Sequence, residues 1–211
     1  GLVQRPIEFD DGSMIRLTIA HYYTPSGRCI QKPYAKGDRE DYAMDIEKRF
    51  KNGELYSADS IHFADSLKYQ TLRRHRTVYG GGGIMPDEFV PLDTTQFTKL
   101  HRQIVARSLI INATLRYVDQ HRTELKSRYT NFDDYLANYH VPQAMTDSIF
   151  AEAERLKLKP CTKEERDKTL PMLTLQLKAL IARDIWDMNE YYRIMNESNR
   201  IVAKAVEIAG K

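Results

Sequence analysis

From about residue 95 to the C terminus, apolar residues recur at the three- and four-residue spacing of an α-helix, and before that point they do not. This change of period limits the fold more than any other feature, because an amphipathic helix is buried only by packing its stripe on other elements. Phe97, Leu100, Ile104, Leu109, Ile110, Leu115 and Val118 form one broad stripe, interrupted at Arg107. Asn131 is placed to cap a short helix holding Phe132, Tyr135 and Leu136, which Val141-Pro142 ends or restarts. Met145, Ile149, Ala153 and Leu156 make a further stretch. Thr162 stands three residues before Glu165, the spacing of a capping box. The run it opens continues through Leu173, Leu177, Leu180, Ile181, Ile185 and Trp186, with Pro171 predicting a bend or restart. Ile201 to Ile208 repeats the spacing before Gly210, and Asp93, Thr94 or Thr95 suits the N-cap of the first helix.

The first part of the chain has a different period. Met14, Arg16, Thr18 and Ala20 alternate with Ile15, Leu17, Ile19 and His21, as in a half-buried strand. Asp10-Asp11-Gly12 before them is a tight-turn signature, so the opening residues and this run predict a hairpin. Thr24-Pro25-Ser26-Gly27 then reads as a turn. Residues 32–79 are rich in charge and Tyr, broken by Gly37 and Gly53, and predict an excursion with short elements, including a helix across Tyr42 to Phe50. Four glycines, Gly80 to Gly83, require unusual backbone or close approach. The expected fold is α+β, with a β-rich part at 1–94 and an all-helical domain at 95–211.

Composition excludes several functions. With 211 residues the chain can bury roughly 70% of its unfolded surface. Lys and Arg total 32 against 29 acids, a net charge of +3 that gives no case for nucleic acid or a membrane surface as partner. No apolar run approaches the roughly 20 residues of a bilayer span. Cys29 and Cys161 are too few for a disulfide framework or a structural zinc site, and one bridge or none fits equally. None of the 6 histidines has the i, i+4 spacing of a helical metal pair, and the glycine run lacks the Lys-Ser or Lys-Thr of a phosphate loop. Neither metal nor cofactor is therefore expected. Arg73-Arg74-His75-Arg76 reads as a solvated loop, Asp10-Asp11 as a turn and Asp133-Asp134 as a helix first turn. Tyr22-Tyr23 and Tyr191-Tyr192 read as core or rim aromatics.

Three separated pieces go further. Gly1-Leu2-Val3-Gln4, then Tyr22-Tyr23-Thr24-Pro25-Ser26-Gly27-Arg28-Cys29-Ile30-Gln31, and Gly82-Gly83-Ile84-Met85-Pro86-Asp87 together resemble the distal part of the C-terminal processing peptidases, or tail-specific proteases. The resemblance is close over 1–31 and 80–92; the helical region looks like the tail domain of one branch. It implies a crotonase-like peptidase core within 1–94, carrying an insertion at 32–79, and a serine endopeptidase with a Ser–Lys pair that processes protein tails in the periplasm or cell envelope. It also implies that the catalytic Lys falls immediately before Gly1, with the nucleophilic Ser and a PDZ domain further upstream. The 211 residues alone are then expected to be inert, and residues 2–23 to pair with a second copy or lie under the chain's own helices. Protein or peptide C-termini are the implied substrates. The alternative is a helical dimerisation or protein-interaction module.

By the same resemblance, Gln4 is the residue that orients the Lys. A lysine acts as general base only as the neutral amine, so its pKa must fall from about 10.4 towards neutrality. A neighbouring carboxylate would raise that pKa, whereas a Gln amide accepts a hydrogen bond without adding charge. Positions four apart on a straight strand are about 13 Å distant, so the backbone must bend between them, and Gly1 permits a bend. By side-chain chemistry alone, Gln4 reads first as a polar residue on the outer face of a strand, and it is the resemblance that sets the orienting role beside that reading.

Overall fold

A computed structural model describes residues 1–33, 37, 39–93 and 95–210. The chain is α+β and divides into two compact units, Gly1–Leu92 and Asp93–Lys211. Among the described residues, strands occur only in the first.

In the first unit β1 (Leu2–Glu8) and β2 (Met14–His21) form an antiparallel hairpin in which Ile7 faces Ile15 and Arg5 faces Leu17. The turn between them is built as its residues suggest. Gly12 takes a positive φ of 79°, and Asp11 Oδ1 accepts from Ser13 N (2.9 Å) and Oγ (2.6 Å). Those bonds hold the Asp11 carboxyl below its ordinary range. Every residue of β2 is exposed, and of β1 only Val3 is half-buried. Tyr22 and Tyr23, expected in the core or at its rim, are exposed. A two-stranded ribbon has no second layer of its own to bury them.

The helix expected across Tyr42 to Phe50 is longer and divided: α1 (Arg39–Ala43) and α2 (Asp45–Lys51) meet at Met44. The Met44 N–H still reaches Glu40 O, and Lys48 N reaches Met44 O, both at 3.0 Å. A short hairpin, β3 (Lys68–Gln70) with β4 (Thr77–Tyr79), closes the excursion. Three residues per strand are too few to show a period.

The second unit runs α3 (Lys99–Ala106), α4 (Leu109–Arg128), α5 (Phe132–Asn138), α6 (Gln143–Arg155), α7 (Lys163–Ile185), α8 (Met188–Met195) and α9 (Arg200–Ala209). Helix α7 is its centre, packing against α3, α4, α6 and α8. Leu173, Leu177, Ala179, Ile181 and Ala182 are fully buried along it. Pro171 lies inside α7 without restarting it. The first stripe is two helices, because Ser108 adopts the left-handed region (φ 56°) and turns the chain between α3 and α4. Leu115 is exposed, because within α4 it lies away from the face of Ile110, Ala113, Thr114 and Val118.

Polar contacts join α3 to α7. The cap of α3 is Thr98, whose hydroxyl accepts from His101 N at 3.0 Å; neither Asp93 nor Thr95 serves, and Thr94 lies outside the described residues. Asp93 instead accepts from Thr95 N (2.9 Å) and Oγ1 (2.7 Å). Thr98 Oγ1 also meets Thr169 Oγ1 of α7 at 2.6 Å. Thr162 caps α7 through Glu165 N (3.2 Å), but the Glu165 carboxylate turns away and accepts from Leu100 N of α3 (3.3 Å). One carboxylate from α7 thus satisfies an orphan donor of α3. His101, 2% exposed, shares a hydrogen bond with Gln176 (3.0 Å), and burial lowers its pKa. A cage of Tyr129, Phe132, Tyr135, Tyr139 and Trp186 closes the far side of the core. Asn131 caps α5 as expected, through Asp134 N at 2.9 Å.

Leu177→Ala should cost about 2–5 kcal/mol by urea unfolding, against roughly 0.5 kcal/mol or less for Leu115→Ala. His101 is harder to protonate folded than unfolded, so the unfolded chain binds more protons as pH drops through the ordinary value of 6.5. Its contribution is intact above that pH and is lost progressively below it. The pH dependence of urea unfolding between about 7.5 and 5 should be shallower in His101→Gln than in the parent chain.

Candidate functional site

Gln4 lies on β1 where the hairpin register slips. Val3 faces Ala20, Gln4 faces Thr18, and Ile19 is left over on β2. An extra residue of this kind bends the strand and increases the local twist. The irregularity therefore falls at Val3 and Gln4, not at Gly1. Gly1 is small for another reason: a Cβ there would stand 3.0 Å from Ile30 Cγ1 and 3.0 Å from Tyr22 Cβ. The Gln4 amide Nε2 is 3.5 Å from Thr18 Oγ1, a long contact that holds the side chain loosely. No other hydrogen bond engages its side chain among the described residues.

After the hairpin, Thr24-Pro25-Ser26-Gly27-Arg28 folds into a tight loop. Tyr23 and Cys29 bridge its base, Thr24 N donates to Arg28 O (2.9 Å), and Gly27 takes φ 84°. Arg28 stays inside the loop's reach, its Nε donating to Ser26 Oγ (3.1 Å) and its Nη1 to Tyr79 O (3.4 Å). The four glycines lie alongside. Gly80 N donates to Leu67 O and Gly83 N to Ile30 O, while Gly81, Gly82 and Gly83 all have positive φ. Gly81 has φ 98°, which favours glycine, and a Cβ there would stand 2.6 Å from Leu67 Cδ1, so the leucine side chain would have to shift as well.

The glycine run borders a cavity of about 350 Å³ with Phe63 stacked on Tyr79 in its wall. Its charges are internally neutralised by Lys32–Asp45 (2.8 Å) and Arg49–Glu54 (3.0 Å). A second, shallower groove of about 460 Å³ lies between the Thr24–Arg28 loop and the tip of the β3–β4 hairpin. The sequence pattern marks the Arg73–Arg76 cluster only as a loop; the pairing of β3 with β4 is what carries it to this groove. Among the described residues no group of three or more His, Cys, Asp or Glu is placed to hold a metal ion. Cys29 and Cys161 are free thiols, and Asp133 and Asp134 occupy the first turn of α5.

The hairpin with Gln4 at its bulge leads directly into the Tyr-Thr-Pro-Ser-Gly-Arg loop, which packs on the glycine run. Residues 1–41 match the model of Peptidase family S41, so this part of the chain is similar to a partial segment of that family. The carboxy-terminal processing protease CtpA of Bacillus subtilis (strain 168) is 39% identical over 62 residues, covering 26% of this chain. That stretch is 13% of the relative's own length. Residues 100–187 match a family of unknown function (DUF8443). No solved structure matches the chain.

Gly81→Ala should destabilise the first unit by about 1–3 kcal/mol, read from faster amide exchange at Gly80 and Gly83. Gly83→Ala, whose Cβ enters open space, should carry only the conformational penalty and a smaller effect.

Proposed function

We infer that the chain is the distal segment of a Ser–Lys endopeptidase that trims protein C-terminal tails in the periplasm or cell envelope. The observation that carries this reading is the S41 match over residues 1–41, which contains both Gly1–Gln4 and the Thr-Pro-Ser-Gly-Arg loop. The name of the Bacillus relative supports tail processing as the reaction. In this reading the serine attacks the scissile carbonyl, a lysine immediately before Gly1 takes its proton, and Gln4 orients the lysine amine. The position of Gln4 suits that role: the strand is irregular there, and its loosely held amide is free to reach a neighbour. A neutral amide also leaves the lysine pKa free to fall by burial. Protein or peptide C-termini are the substrates, and in this reading the nucleophilic serine and the base lysine are not among the 211 residues, which alone do not cleave them.

A second reading concerns the helical unit. Helix α9 leaves Ile201 and Val206 63% and 67% exposed, which favours a dimerisation or protein-interaction module, and the two readings are compatible. Light scattering on the 211-residue chain should give a dimer that Ile201→Glu with Val206→Glu returns to monomer.

The peptidase reading is checked with an unstructured peptide substrate and two proteins, the 211-residue chain and one extended upstream through the serine and lysine. The extended protein should cleave at least about 1,000-fold faster. Within it, Gln4→Ala should lower kcat roughly 10- to 1,000-fold and shift the rising limb of the pH profile. Cleavage by the short chain that survives replacement of its own serines overturns the reading.

A further inference from the structure

The groove beside the Thr24–Arg28 loop is strongly cationic. One wall is Thr24, Ser26 and Arg28 from the peptidase-matched segment; the other is Arg73, Arg74 and Arg76 from the β3–β4 tip. Arg76 is neutralised by Asp87 at 3.0 Å, and its N–H is fixed by Thr71 Oγ1 at 3.0 Å. Arg73 and Arg74 are exposed and form no ion pair among the described residues. Arg28 spends Nε and Nη1 on Ser26 and Tyr79, which leaves the rest of its guanidinium to the groove. His75, in the left-handed region at φ 48°, sets the turn that presents these side chains, closed by His75 N to Thr71 O (3.1 Å). Arg28, Arg73 and Arg74, without a carboxylate partner among the described residues and gathered with the Thr24 and Ser26 hydroxyls around one groove, make a site for oxyanions, because the guanidinium fork matches carboxylate geometry with two parallel bonds.

We propose that this groove binds carboxylate side chains of a peptide, so that the excursion at 32–79 gives the peptidase a docking subsite for acidic substrate segments. Identifying the anion as part of a peptide rests on the peptidase reading; the oxyanion chemistry does not. Two features favour a peptide over a polynucleotide. Pro25 and the 68%-exposed Leu72 give the groove an apolar rim, and the net charge of +3 is too small for a nucleic-acid surface.

The test measures binding of a fluorescein-labelled hexapeptide carrying three Asp or Glu residues to the 211-residue chain, with its Asn and Gln counterpart as reference. The acidic peptide should bind at least about tenfold tighter than the amide peptide, and added salt should weaken it. Arg73→Gln with Arg74→Gln should abolish that preference, whereas Arg5→Gln with Arg16→Gln, the same loss of charge on the hairpin, should keep it. Equal affinity for both peptides overturns the proposal, as does an equal loss in the two double variants. Displacement by inorganic phosphate below the peptide's own Kd, or tighter binding of an oligothymidylate, overturns it in favour of phosphate or nucleic acid. Cleavage is not read in this experiment, so a failed subsite and a failed peptidase assignment are told apart.

Discussion

Burial of helix α7 organises the second unit. A helix that is apolar on most of its circumference is stable only inside a ring of others, and Leu173, Leu177, Ile181 and the small Ala179 and Ala182 let α3, α4, α6 and α8 approach it. Polar residues between its first turn and its middle complete the arrangement. Thr169, Glu165 and Gln176 each reach α3, so the same helix supplies apolar contact and hydrogen-bond partners. His101 is kept neutral by this burial, which makes it a structural histidine rather than a chemical one.

The first unit follows another rule. Its main hairpin carries Ile15, Leu17 and Ile19 on exposed strands, and two strands alone cannot bury them. Its order comes instead from local devices: the Asp11 turn, the loop closed between Tyr23 and Cys29, and a glycine run that fits beneath Leu67 and Ile30. The bulge at Gln4 belongs to this set. It changes where a side chain on β1 points without requiring a core, which is how a polar residue can be offered to a neighbouring base.

The excursion at 32–79 links the two aspects of function argued above. Its β3–β4 hairpin returns to the loop of the peptidase-matched segment, so residues more than forty positions apart share one groove. Arg28 is the hinge of that arrangement, since its hydrogen bond to Tyr79 O ties the loop to β4. Charge in the neighbouring cavity is cancelled by two ion pairs, while in the groove, among the described residues, only Arg76 has a carboxylate. The asymmetry separates a packing cavity from a binding surface.

Local sequence alone determined the α+β class, the Asp10–Gly12 turn, the caps at Asn131 and Thr162 and the demand for glycine at 80–83. Each depends on side chains within a few residues of one another. The motif pieces around Gln4 and Thr24–Arg28 were legible too, because their residue types carry the peptidase resemblance. Tertiary structure decided what periodicity cannot express. Thr98 rather than Asp93 caps α3, where Thr169 and Glu165 of α7 meet it, and the break at Ser108 divides one apolar stripe into two helices. The three-residue strands β3 and β4 gave no pattern, yet their pairing brings Arg73 and Arg74 to Arg28. Such contacts depend on groups distant in sequence, and only the folded chain sets those distances.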